Sequence, residues 1–252
     1  MVSFDWLLGV VSPATEAAVL REGRRLRSAG GGALYVAPIR DRPPSEPEQI
    51  FREHRGRAGG QEGAGGLVMV GRPPEADWEA PMEDPLLRAL LRDGSDSVFV
   101  LHATTTPDTV QRILVPTDFS AASARGVRVA VGLAQVYEAE VVVLHVVEGN
   151  PYVALTPRDR LSIGPVGLPE HRARRQLKKW IQAQERMEVP IEARVRGGTT
   201  AEQVGQALRA EAVDLLVLPA GGAGQDRLGA VADRVLRRET GPLVLVRSGD
   251  AE

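Results

Sequence analysis

The chain runs to 252 residues, 43% of them hydrophobic, which leaves room for one large or two ordinary domains with a sizeable buried core. It has no cysteine and four scattered histidines, so disulfide frameworks, thiolate catalysis and cysteine-ligated metals are excluded and a metal centre is disfavoured. A formal net charge of −2 gives no general attraction to nucleic acid or to an anionic membrane.

The opening "MVSFDWLLGVVSP" has neither the basic start nor the long apolar stretch and small-residue cleavage site of a secretory signal, and no run of about 18 apolar residues occurs. A cytoplasmic protein without membrane contact is the expectation. "SFDWLLGVVSPATEAAVLREGRRLRSAGGGALYVAPI" reads as strand, a Ser at a cap position, helix and strand. "RAGGQEGAGG" (57–66) is glycine-rich, but it precedes the strand "GLVMVG" and has no Lys-Ser/Thr pair. It therefore reads as a flexible connector and not as a phosphate loop. A strand "SVFVLH" follows, and "ATTTPDTVQ" (103–111), rich in Thr and Pro, is the expected linker.

The second half alternates more legibly. "RILVPTD" is a buried strand; Ser120 opens a helix with Ala124, Val127, Val131 and Ala134 at helical spacing; "EVVVLHVVEG" is a strand suited to a sheet covered on both faces. A loop over 149–168 leads to a basic helix (169–186) with Arg172, Arg174, Arg175, Lys178 and Lys179, which reads as a solvated face because stacking aromatics and a groove-reading motif are missing. Strand "VPIEARVRGG", helix "TTAEQVGQALRAEA" with Val204 and Leu208 inward, strand "VDLLVLPAGG", a short helix (230–238) and strand "PLVLVR" complete the order. Such alternation implies a mostly parallel doubly wound α/β sheet, with ligands bound beyond the carboxyl ends of the strands where the strand order reverses. The loops after "RILVP" and "LLVLP" flank that crevice.

The first half repeats this pattern in worn form, with a period of about half the chain. The segment between its second strand and "EPEQIF" is too short for a helix and strand equivalent to 150–195, so the first copy is abridged. Two tandem doubly wound domains are expected, 1–103 and 111–248, with mostly parallel five-stranded sheets. The strands "SVFVLH" and "PLVLVR" are edge candidates that must be paired or covered.

The strand ending in Pro-Thr-Asp before a Ser-led helix, the closing "LHVVE", and "VDLLVLPAGGAGQDRLGAVADRV" followed by "PLVLVR" together resemble the universal stress protein family, well over 111–247 and weakly over 3–102. The resemblance implies an adenine nucleotide alpha hydrolase-like fold and a stress-response or regulatory role without catalysis. It also implies pairing of the final strands across a two-fold axis, here between the two halves, with a homodimer as a further state and an unidentified protein partner. ATP is the cofactor that ATP-binding relatives would suggest, through a Gly-x-x-Gly-x(9)-Gly-Ser/Thr loop that cradles phosphates with backbone amides and a helix dipole. By resemblance Pro116 and Thr117 wall the nucleoside, Asp118 contacts it, Val147 offers backbone contacts to the base, and Gly222, Gly224, Gly229 and Ala230 stand in the loop.

The loop departs from that pattern. Pro219 at the first glycine position has no N–H; only six residues separate Gly222 from Gly229; Ala230 replaces the hydroxyl. Each lost charge-assisted bond costs about 1.5–3 kcal/mol, or roughly ten- to a hundred-fold in affinity. A diverged nucleotide crevice is thus expected, with an ATP/AMP switch or slow ATPase as the alternative, for which Asp226 is the available second carboxylate. Asp118 reads equally as a helix cap, and His145 as a packed strand histidine. In the first half Val10 is expected opposite Asp118. P-loop, nucleophile-elbow and dinucleotide motifs are missing.

Overall fold

The runs of β-branched residues form strands and the amphipathic stretches form helices, in the alternating order expected. The computed structural model describes residues 6–11, 15–29, 32–38, 66–72, 97–102, 109–148, 169–184, 188–222, 230–236 and 243–248. The first half contributes β1 (Trp6–Val11), α1 (Glu16–Ser28), β2 (Ala33–Pro38), β3 (Gly66–Arg72) and β4 (Ser97–His102). The second contributes β5 (Arg112–Thr117), α2 (Ala121–Tyr137), β6 (Glu140–Val147), α3 (Pro169–Gln182) and β7 (Ile191–Gly197). It continues through α4 (Thr200–Ala210), β8 (Leu215–Gly222), α5 (Ala230–Leu236) and β9 (Leu243–Ser248).

All nine strands lie in one sheet, ordered β2-β1-β3-β4-β9-β8-β5-β6-β7. Every neighbouring pair is parallel except β4 and β9, which meet antiparallel through Val98↔Leu245, Phe99↔Val244 and Val100↔Leu243. The two edge candidates therefore cover each other. Among the described residues the first half contributes four strands to the sheet and the second five. The segment in which the abridgement is expected, 39–65, lies outside the described residues.

Side chains alternate across the sheet, so both faces are apolar and both are covered. On one face Leu114, Val142, Leu144 and Leu216 pack with Val204 of α4 and Val235 of α5. On the other, Ile113, Val115, Val141 and Val143 pack with Val127, Ala130 and Ala134 of α2 and Leu177 of α3. Each core runs on into the first half, through Val68, Val98 and Val100 on one face and Leu7, Leu67, Met69 and Phe99 on the other. The halves thus share two continuous cores. At the β7 edge, Arg194 and Arg196 both reach the buried carboxylate of Glu211, and Arg194 is also bonded to Glu192. Charges on an edge strand discourage further strands from adding to it.

The antiparallel pairing of β4 with β9 relates the halves as a pseudo-two-fold axis would, with β1, β3 and β4 standing for β5, β8 and β9. With Val10 read from the sequence as the residue opposite Asp118, the first half has no carboxylate at that place.

Helix and strand come into close contact in both halves. A Cβ on Gly71 would stand 2.3 Å from Thr15 Cβ and 2.8 Å from Val19 Cγ2, so the backbone of β3 is in direct contact with the start of α1. In the second half the small residue is on the helix instead: Gly126 of α2 faces Pro219 Cγ at 3.2 Å, measured from an added Cβ. Gly71→Ala is expected to lower stability by about 1–3 kcal/mol through overpacking, measured by urea unfolding.

Candidate functional site

A crevice of about 520 Å³ opens at the carboxyl ends of β5, β6 and β8. From β5 the chain proceeds outward to β6 and β7, then returns to the other side of β5 as β8 and β9. The crevice is therefore at the reversal of strand order, where a parallel sheet leaves a gap between diverging connections. Pro116 and Thr117 of β5, Leu218 and Pro219 of β8, and Val231 and Ala232 of α5 supply its walls. Its polar lining is Asp118, Ser120, Ser123, His145, Glu148 and Thr200.

The floor on the β5 side is a tightly bonded turn. Thr117 Oγ1 accepts from the Phe119 amide at 3.0 Å, and Asp118 Oδ1 accepts from the Ser120 amide at 3.0 Å and the Ser123 hydroxyl at 2.6 Å. Ser120 Oγ in turn accepts from the Ser123 amide at 3.2 Å, capping α2. What burial Asp118 has pushes its carboxyl up, but the bonds from Ser120 and Ser123 outweigh it and hold the group below the ordinary aspartate range. It is a fixed anionic acceptor. Phe119, forced to φ 68° by this turn, adopts the left-handed region that a bulky side chain seldom enters.

Phe119 spends that strain on an aromatic stack. Its ring lies 4.3 Å from the His145 ring and 5.8 Å, edge-on, from Trp180 of α3. His145 Nδ1 is 2.9 Å from the Thr117 carbonyl, and since a carbonyl only accepts, that nitrogen carries the proton in this bond. His145 is accordingly packed, as expected, while also facing the crevice. On the β6 side, Glu148 accepts from the Thr200 amide at 2.8 Å at the start of α4. The Thr200 hydroxyl and amide hold the Glu148 carboxyl below its ordinary range.

Of the residues singled out in the sequence, Pro116, Thr117 and Asp118 come together in the crevice. Val147 does not line it, although Val146 and Glu148 on either side do; its carbonyl accepts from the Gly198 amide at 3.3 Å, which commits part of the backbone expected to meet a base. Gly222 is the last residue of β8 and pairs with Ser248 beyond a bulge, so Pro219 and Gly222 are strand residues, as the reading of "VDLLVLPAGG" as a strand has them. Ala230 opens α5. Gly224 and Gly229 lie outside the described residues, as does Asp226. Arg172, Arg174, Arg175, Lys178 and Lys179 are exposed on α3, in keeping with a solvated face. Ser123, Glu148 and Thr200 were missed: Glu148 and Thr200 are 52 residues apart, and nothing local marks them as neighbours.

The model of the universal stress protein family matches residues 109–247, more than half of the chain. The chain belongs to the universal stress protein family. A universal stress protein of Methanocaldococcus jannaschii is 28% identical over 145 residues, covering 56% of this chain and 85% of its own. The solved universal stress protein of Archaeoglobus fulgidus matches over 96% of this chain and 87% of its own, with a TM-score of 0.57 and 15% identity. A putative universal stress protein of Pseudomonas aeruginosa UCBPP-PA14 matches over 97% and 93%, with a TM-score of 0.55 and 14% identity. The fold likeness of this universal stress protein thus extends over both halves, while the family model covers the second. Among its described residues, no three His, Asp or Glu side chains converge as a metal cluster would require, and no helix is long and apolar enough to cross a membrane.

Proposed function

We propose that this universal stress protein is a non-catalytic, cytoplasmic stress-response regulator, built of two copies of one fold (1–103 and 111–248). In this reading it acts through its surfaces and through a single diverged nucleotide crevice in the second copy. The observation that carries the reading is the difference between the two switch points. Between β5 and β8 there is an open crevice with Asp118 held ready as an acceptor. Between β1 and β3, Gly71 towards the end of β3 is in contact with Thr15 at the start of α1.

The crevice suits the nucleoside part of an adenine nucleotide better than its phosphates. Asp118, Ser120, Ser123 and Thr200 present acceptors and donors of the kind a ribose or base uses. The described lining carries two carboxylates, Asp118 and Glu148, and Pro219 offers no amide. Calorimetric titration with adenosine, AMP and ATP plus Mg²⁺ is expected to give one ligand per chain, with ATP no more than about ten-fold tighter than adenosine. Two ligands per chain would sink the single-crevice reading. The second reading, an ATP/AMP switch or slow ATPase, is favoured by the intact Asp118 turn and predicts ATP far tighter than adenosine, with steady phosphate release.

A further inference from the structure

Helix α1 lays Ala18, Val19, Gly23 and Leu26 on the sheet, and a carboxylate stands in the same buried stripe: Glu22, 2% exposed. An ionised carboxylate so placed is costly unless it is paired or neutralised. Its partner comes from the other half of the chain. Tyr137, on the last turn of α2 and 115 residues away, donates its hydroxyl to Glu22 Oε1. Arg25, nearly one turn further along α1, has its guanidinium 5.4 Å above the Tyr137 ring and 4.0 Å from Glu22 Oε2, too far for a hydrogen bond. Arg21 contributes a weaker attraction. The strand side chains on this face, Leu7, Leu67, Met69, Phe99 and Leu101, are apolar. Among the described residues, the polar and charged groups facing Glu22 are therefore Tyr137, Arg25 and Arg21.

We propose that Glu22 and Tyr137 form a proton-sensitive latch between the two halves, firm when Glu22 carries a proton and weakened, by the charge it must bury and not by loss of the bond, when it does not. Among the described residues the β4–β9 ladder joins the halves through three residue pairs, and α1 and α2 are tied across that junction by this contact. A neutral Glu22 takes the tyrosine hydrogen bond without placing a charge in the core. An ionised one keeps the bond but must stay buried with no direct bond to Arg25. Burial pushes Glu22 up from its ordinary value of 4.5 by more than Tyr137, Arg25 and Arg21 pull it down. Burial, and then the adjacent Glu22, holds the Tyr137 hydroxyl well above the usual tyrosine range, so it remains a donor throughout. The folded chain thus holds the Glu22 proton more tightly than the unfolded chain. The stabilisation is complete below pH 4.5 and is lost as pH rises through the folded value.

The test is urea unfolding of the full chain from pH 4.5 to 9, with hydrogen exchange of the β4 and β9 amides corrected for the intrinsic pH dependence. The wild type is expected to lose stability with rising pH, at up to ten-fold in the unfolding constant per pH unit within the window, and to exchange faster at the junction. Glu22→Gln should remove this segment of the profile. Tyr137→Phe, which deletes the bond that pulls Glu22 down, should displace the segment to higher pH. Parallel profiles for wild type and Glu22→Gln, an unmoved segment in Tyr137→Phe, or faster exchange confined to strands away from the junction would each overturn the latch.

Discussion

Replacing Phe99 with alanine is expected to lower the stability of the whole chain by about 3–5 kcal/mol, without dividing its unfolding into two steps. Phe99 is 2% exposed, sits in β4 opposite Val244 of β9, and packs in a core shared with Leu7 and Met69 from one half and Val127 and Val246 from the other. The loss would be a large fraction of the roughly 5–15 kcal/mol that holds an ordinary domain together. Because both faces of the sheet have cores that cross the junction, the halves should melt together at a lower midpoint. Trp6 lies in β1 and Trp180 in α3, so each half holds an indole. Coincident transitions by tryptophan fluorescence and far-ultraviolet circular dichroism are the expected result. Two separated transitions would mean that the halves are independent folding units.

The second large effect is at Asp118. Asp118→Ala removes the acceptor for the Ser120 amide and the Ser123 hydroxyl, at a cost of about 0.5–2 kcal/mol at the start of α2. If the same carboxylate anchors a ligand hydroxyl, affinity for adenosine should fall by roughly ten- to a hundred-fold. The two consequences separate in one experiment. A variant that is destabilised yet binds adenosine as well as the wild type would leave Asp118 with the role of bracing the start of α2 alone. Acid adds a second readout. The Asp118 carboxyl is held below its ordinary value of 3.8, so its stabilisation is complete above that pH and lost as pH falls through the folded value. Asp118→Ala should flatten the acid limb of the stability profile below about pH 4.

Much of this was readable in the sequence because the signals were local. The valines of "EVVVLHVV" announce a strand buried on both faces, and Ser120 announces a helix start. The crevice was placed by topology, since strand order must reverse between β5 and β8 whichever side chains line it. What escaped were contacts between distant residues. Glu22 stands in the apolar stripe of α1 as a visible anomaly, yet nothing near it names Tyr137 as its partner. Glu148 follows an ordinary-looking strand, and its bond to Thr200 exists because the end of β6 and the start of α4 lie side by side.

The claim on which the account rests is that one crevice, in the second half, receives the nucleoside part of a ligand. Nuclear magnetic resonance of the labelled full chain, titrated with adenosine and then ATP, tests it most directly. The account predicts amide shifts at Thr117–Ser123, His145–Glu148, Thr200 and Leu218, with none at the ends of β1 and β3. Shifts at Val11, Thr15 and Gly71, or none anywhere at millimolar adenosine, would contradict it.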